Sequence, residues 1–395
     1  MFSRQTRFIR VAAMSMVAAS ALLLLIGLLN QHFTRPLTEW KTSSKLRLEE
    51  AGHVKHREPF VIGNERKATP ITSADKRIYT GLHIENIYSL SIKDRVFMVE
   101  GWYWLKWPEA INKIILENNI AQEGIVEFAN QVESSSTIVE VVQPNPEILP
   151  DGSYWQSFRF SAKFYIDDLE LKSFPFESLQ LPVILELRPD YLSCYQGNRY
   201  GCISLALDTG DDHSILGSRV SLNGYSAIGS ESKEFLHQYS TNFGHGKPSA
   251  FSSVETRVIY HTIFAAAFWS YVFPLLVLIG IALISPSLSG ALGDVRLAIP
   301  TTILLTLIFL QIGYKADLPT LAYVTYLDWL YIYAYVASAA LFILFCWSTN
   351  AHAAASTRGN EEIVMRRTNR VDVLVQCIAF AGLLLVIASG LMFEP

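Results

Sequence analysis

The sequence predicts an extracellular or periplasmic β-sandwich followed by an all-α four-helix transmembrane domain, with a signal or signal-anchor helix at the N-terminus. Three observations predict it. Between residues 76 and 260, short alternating apolar and polar stretches rich in β-branched and aromatic residues recur between turn signals, as in a sandwich. From 261 to 395, four runs are apolar and long enough to cross a bilayer, which takes about 20 residues. One of these runs, Asp294–Ile312, carries polar residues at helical intervals where its neighbours do not.

Composition agrees. A chain of 395 residues has room for two domains, and 50% hydrophobic content is high for a soluble enzyme. A net charge of −4 points to no nucleic acid. Of the four cysteines, Cys346 and Cys377 lie in apolar runs and read as packing residues. Cys194 and Cys202 lie close together in a polar stretch, and in an exported domain they are disulfide candidates.

Residues 1–30 open with Arg4, Arg7 and Arg10 ahead of an apolar run from Val11 to Leu29, which reads as a signal peptide or signal anchor. The small residues suited to cleavage precede the Leu-rich core, which favours an uncleaved anchor with its N-terminus inside. Residues 31–75 read as a polar linker; His53 and His56 have no further ligand nearby and read as solvated. The sandwich then spans 76–260. Ile78–Ile87 and Val96–Trp107 are strands, the second with Phe97, Val99, Tyr103, Leu105 and Trp107 on one face and Glu100 and Lys106 on the other. Residues 109–131 read as helical or irregular. Strands follow at Thr137–Val142, Phe158–Ile166 and Leu179–Leu187, with shorter ones at 200–207, 218–228, 234–243 and 250–260.

The helical region, 261–395, places spanning runs at about 262–285, 320–347 and 371–393 beside 294–312. Trp269, Tyr271, Trp329 and Trp347 suit aromatic belts at the membrane surfaces. Arg358, Arg366, Arg367 and Arg370 lie between the last two runs; placing them in the cytoplasm puts the sandwich outside and the N-terminal arginines inside. Within 294–312, steps of three and four align Asp294, Ala298, Thr302, Leu305, Phe309 and Ile312 on one face. A narrow aqueous path uses such an order: a carboxylate sets charge preference and an apolar ring closes the path by dewetting. A buried helix whose Thr hydroxyls bond its own carbonyls, with Asp294 capping its start, fits as well. Pro300 removes one backbone hydrogen bond inside this run.

The assembled order resembles the pentameric ligand-gated ion channels, the Cys-loop receptor superfamily, and in particular bacterial-type members lacking the loop cysteines. The likeness covers most of the chain after residue 75. It is carried by Leu82-His-Ile-Glu-Asn-Ile87 followed by Phe97 to Trp107, by Phe174-Pro175-Phe176-Glu177, by Leu304-Leu305-Thr306-Leu307, and by Leu318-Pro319-Thr-Leu-Ala-Tyr-Val-Thr-Tyr326. The chain departs from the family pattern at Asp167 and Leu181, which stand where the loop cysteines would be, and at Glu177, which replaces the signature Asp.

The resemblance implies a homopentamer in a bacterial inner (plasma) membrane, gated by a small-molecule ligand or by protons and passing monovalent cations. It implies a pore and filter at Asp294, Ala298 and Thr302, and a gate at Leu305, Phe309 and Ile312. Arg296 is expected to point from the axis toward headgroups or a partner. Coupling is implied through Phe174, Pro175, Phe176 and Glu177 against Lys315 and Pro319, with Glu177 near Lys315. Ligand contacts are implied at Arg188, Asp190 and Tyr191, with a second set at Tyr225, Phe235, Tyr239 and Phe243; an arginine there favours an anionic or polar ligand. A non-conducting membrane sensor or assembly subunit of the same fold is the alternative. There is no Gly-rich phosphate loop, metal-spaced cluster or nucleophile elbow, so neither an enzyme nor a cofactor is expected.

Overall fold

The computed structural model describes residues 20–34, 66–70, 72–194, 197–208, 215–239, 241, 244, 250–290, 292–356 and 361–393. Arg4, Arg7 and Arg10, residues 35–65 of the linker with His53 and His56, Phe243 and Arg358 lie outside the described residues. The chain divides into two compact units. One holds the strands; the other holds the long helices together with helix α1 (Ser20–Thr34) and the loop Glu170–Ser178.

In the strand unit the described residues form β1 (Arg66–Lys67), β2 (Arg77–Ser91), β3 (Val96–Trp107), helix α2 (Glu109–Glu117), β4 (Val126–Phe128), β5 (Gln131–Val132), β6 (Ile138–Val141) and β7 (Glu147–Ile148). They continue with β8 (Tyr154–Tyr165), β9 (Ser178–Leu187), β10 (Ser204–Leu207), β11 (Leu216–Arg219), β12 (Tyr225–Gln238) and β13 (Ala250–Thr262). One sheet runs β1-β12-β13-β9-β4; the other runs β10-β2-β3-β8-β5, with β11 on β2 and with β6 and β7 on β8.

Strict alternation along β3 explains this arrangement. Phe97, Val99, Tyr103, Leu105 and Trp107 are buried while Glu100 and Lys106 are not, so a one-residue slip would expose the whole aromatic row. β3 pairs with β8 without a break from Val96 opposite Tyr165 to Trp107 opposite Tyr154. Tyr103 stacks on Phe158 at 4.7 Å and meets Phe128 of the other sheet edge-on at 5.8 Å. Each such ring pair adds roughly 0.5–1.5 kcal/mol beyond the area it buries. Asn130 also reaches across: its amide donates to the carbonyls of Tyr165 and Pro182, and its oxygen accepts from the Ile184 N–H. Gly101 is required by close approach, since a Cβ there would lie 2.2 Å from the His83 carbonyl oxygen on β2. The two strands expected at 218–228 and 234–243 are instead a short β11 and the continuous β12. The polar run Gly229–Lys233 reads as a break, but its backbone stays extended as part of β12.

Among the described residues, four helices are long and apolar enough to cross a membrane: α3 (Phe264–Ser287), α4 (Gly293–Lys315), α5 (Tyr326–Ser356) and α6, whose spanning stretch is Glu362–Met392. The chain is a multi-pass membrane protein with a sheet-rich region before its helices. In α3 a widened π turn, Phe268–Val272, precedes Pro274. The proline lacks an N–H and its ring crowds the carbonyl four residues back, and the wider turn relieves both. Pro300 is buried inside α4, which runs on as one helix to Lys315. α5 starts at Tyr326 rather than near 320, because Thr325 and Asp328 form a capping box: each backbone N–H donates to the other's side chain at 3.1 Å. α6 starts at Glu361, before the apolar run at 371, so Arg366, Arg367 and Arg370 lie on its first turns rather than in a loop. Arg366 there pairs with Glu362 at 2.7 Å.

Candidate functional site

The helix α4 buries Arg296, Pro300, Ile303, Leu307 and Tyr314 along one side. Asp294, Ala298, Thr302, Leu305, Phe309 and Ile312 are all exposed on the other, with Leu305, Phe309 and Ile312 at 56, 65 and 62%. The middle exposed positions elsewhere are mainly apolar: Val277 and Ile281 on α3, Ile332, Val336, Phe342 and Ile343 on α5, and Leu374, Ile378 and Leu385 on α6. Hence α4 turns the Asp294 carboxylate and the Thr302 hydroxyl outward in the same row as large apolar groups. Asp294 lies in the first turn, and the N-cap is Leu292, without a side-chain cap. Thr301, Thr302 and Thr306 each donate to the carbonyl four residues back at 2.9 Å, so both uses of Thr302, a backbone bond and an outward position, are present together.

Arg296 points the other way. It is 1% exposed, and its guanidinium bonds Asp372 at 2.8 Å and Ser348 Oγ at 3.2 Å while lying 4.3 Å over the Phe345 ring. One side chain on α4 is thereby tied to α5 and α6, and its charge is taken off the exposed row. Asp372 is the residue that reading the sequence missed. The signal was present, because two ionisable residues of opposite sign within spanning segments are expected to pair.

The loop Glu170–Ser178 packs within the helix unit through buried Phe174 and Phe176, with a cis bond between Phe174 and Pro175. Phe174 lies 5.1 Å from Tyr271 and 6.3 Å from Tyr314; Phe176 stacks on Phe264 at 4.8 Å and lies 6.3 Å from Tyr326. The first N–H groups of a helix have no partner within it. In α5 they find the loop: Tyr326 N–H donates to the Lys172 carbonyl at 2.9 Å and Leu327 N–H to the Phe174 carbonyl at 3.1 Å. Leu171 N–H donates to the Tyr323 hydroxyl at 2.8 Å. The expected Glu177–Lys315 contact is replaced. Lys315 pairs with Asp328 at 3.3 Å, which also accepts from the Tyr314 hydroxyl, while Glu177 is buried and its carbonyl accepts from Thr262. Asp328 is simply the nearer carboxylate, held in place by the capping box. Pro319 is half-buried in the connector between α4 and α5.

In the strand unit a cleft of about 770 Å³ is lined by Arg188, Asp190 and Tyr191 together with Asn118, Asn198 and Arg199. The bonded pair Cys194 and Cys202 closes the loop that carries Asn198 and Arg199. Asn198 donates to the Tyr191 and Ser193 carbonyls at 3.2 and 2.8 Å, which fixes one wall. Arg199 lies 4.4 Å over Tyr200 and 5.8 Å over Tyr191, and donates to Asn118 at 3.2 Å. Arg188 is 3.6 Å from Glu127; burial holds the Glu127 carboxyl above its ordinary range, and Arg188 pulls it partly back. Tyr225, Phe235 and Tyr239 do not line this cleft. Tyr225 packs on the core, Phe235 lies under the Arg66 guanidinium at 4.8 Å, and the Tyr239 hydroxyl donates to Glu186 at 2.6 Å. Among the described residues, no group of three His, Cys, Asp or Glu side chains converges as metal ligands would.

Compared with protein-family models and with curated proteins, the sequence matches none, so a functional reading stands on the geometry above.

Proposed function

We propose that the chain is one subunit of a homopentameric ligand-gated cation channel, with its β-sandwich on the outer side of a bacterial inner membrane and α4 lining the pore. The observation that carries this is the exposed row of α4. Its six members turn away from the other helices of the chain, and the Thr302 hydroxyl and the Asp294 carboxylate share that face with Leu305, Phe309 and Ile312. A face meant for lipid does not need this order, a carboxylate in the first turn, then a small residue and a hydroxyl, then bulky apolar groups. Around an axis, Asp294 repeated in each subunit attracts cations at the inner mouth, and rings of Leu305, Phe309 and Ile312 close the path when dry.

Ligand recognition belongs to the cleft around Arg188 and Arg199. Two guanidiniums, three asparagines and Tyr191 suit a small polar ligand with an anionic end, and the Tyr191 ring, edge-on to Tyr200, adds an apolar wall. Ligand binding shifts a closed–open equilibrium by favouring one state, and the loop Glu170–Ser178 transmits the shift to the start of α5.

Planar-bilayer currents test the reading. Leu305→Ala is expected to pass a standing leak without ligand, with a reversal potential that follows sodium or potassium. Asp294→Asn in that background is expected to lose the cation preference. Silence of both, with intact pentamers in the bilayer, selects the non-conducting sensor.

A further inference from the structure

We infer that α1 is retained in the mature protein as a fifth helix of each subunit, and that it braces the loop Glu170–Ser178 through Phe33 as a positioning residue. What bracing does to current rests on the channel reading; the docking itself does not.

The helix has two faces. Leu29 and Phe33 are buried, Phe33 at 1% exposure, while Leu23, Leu24 and Leu28 are exposed, Leu24 at 71%. The buried face fits its surroundings at four places. Phe33 stacks on Phe176 at 4.7 Å with ring planes 27° apart. His32 Nε2 lies 3.0 Å from the Phe393 carbonyl, joining both ends of the helix unit. Gly390 leaves room for α1, since a Cβ there would lie 2.9 Å from Leu29 Cδ2. Ile26 and Leu29 meet Phe176, Phe264, Tyr326 and Ile387 around a void of about 10 Å³, at the lower limit for a single water.

A leader discarded after export has no reason to fit so closely. Its removal would also bare one face of Phe176 and open the groove beside Gly390. With α1 in place, Phe176 is held from two sides, by Phe264 and by Phe33. The loop carbonyls that cap α5 sit two and four residues from that side chain. Freedom of Phe176 is therefore freedom of the cap.

Three readouts on full-length protein in lipid nanodiscs test this. Peptide mapping is expected to recover residues 20–34, and a benzophenone side chain at position 32 is expected to crosslink to the segment around Phe393. Amide exchange at 172–177 is expected to rise about tenfold in Phe33→Ala, as for loss of local packing. It should stay near wild type in Leu24→Ala and recover in Phe33→Tyr. In the Leu305→Ala leak, Phe33→Ala is expected to change the open fraction about threefold or more, as a bias between two states would, and Phe33→Tyr to restore it. Absence of the peptide, a crosslink formed elsewhere, or unchanged exchange in Phe33→Ala overturns the brace. A Leu305→Ala protein that passes no current overturns the channel reading instead, with crosslink and exchange still deciding the docking.

Discussion

Asp372→Asn is expected to destabilise the helix unit by about 3–5 kcal/mol, the cost of leaving one member of a buried ion pair without its counter-charge. Arg296 and Asp372 are 1 and 2% exposed, and their 2.8 Å bond joins α4 to α6. Removing the carboxylate strands a guanidinium between helices, whereas Asp294, exposed on the opposite side of α4, gives it no replacement. Arg296→Met with Asp372→Leu is expected to recover most of the loss, because a shape-matched apolar pair removes both desolvation penalties. The thermal midpoint of the monodisperse fraction in detergent reads both. Wild-type midpoints in Asp372→Asn would show that the pair contributes nothing to holding α4.

Phe176→Ala carries the second large effect, about 3–5 kcal/mol for a buried Phe truncated to Ala. The ring touches Phe264 at the start of α3, Tyr326 at the start of α5 and Phe33 of α1. Three helices therefore lose a common contact. Phe176→Leu keeps part of the volume and is expected to cost roughly half as much. The same thermal midpoint checks it. Equal midpoints for Phe176→Ala and wild type would mean that the loop is peripheral to the helix unit.

Much of the architecture was legible from single periodicities. Alternation along Val96–Trp107 names the buried face of β3, residue by residue. Steps of three and four along 294–312 name the exposed face of α4. Helix ends were less legible, because hydropathy marks where lipid contact begins and not where hydrogen bonding does. Thr325 and Asp328 delay the start of α5, and a charged turn carries α6 back to Glu361. Long-range pairings were hardest. Lys315 had two acids to choose from, and the capping geometry that presents Asp328 is invisible until the helix is built. Asp372 is the second residue of the apolar run at 371–393, and hydropathy alone does not single it out as the partner that Arg296 needs. In the cleft, Arg188, Asp190 and Tyr191 were placed by a loop position, while Asn118 and Arg199 came in only with the disulfide-closed turn and the end of α2.

Accessibility of α4 to a charged thiol reagent tests most directly whether its exposed row faces water. With Cys346 and Cys377 replaced by Ser, single cysteines are placed at Ala298, Thr302, Leu305, Ile303, Leu307 and, as a lipid-facing control, Leu385. A water-lined path predicts modification of Ala298→Cys and Thr302→Cys by a water-soluble methanethiosulfonate, and of Leu305→Cys when the path is open. It predicts no modification of Ile303→Cys, Leu307→Cys or Leu385→Cys. Inert cysteines at 298 and 302 in folded, membrane-inserted protein would contradict the pore and leave the row of Asp294 to Ile312 as a surface packed against lipid or protein.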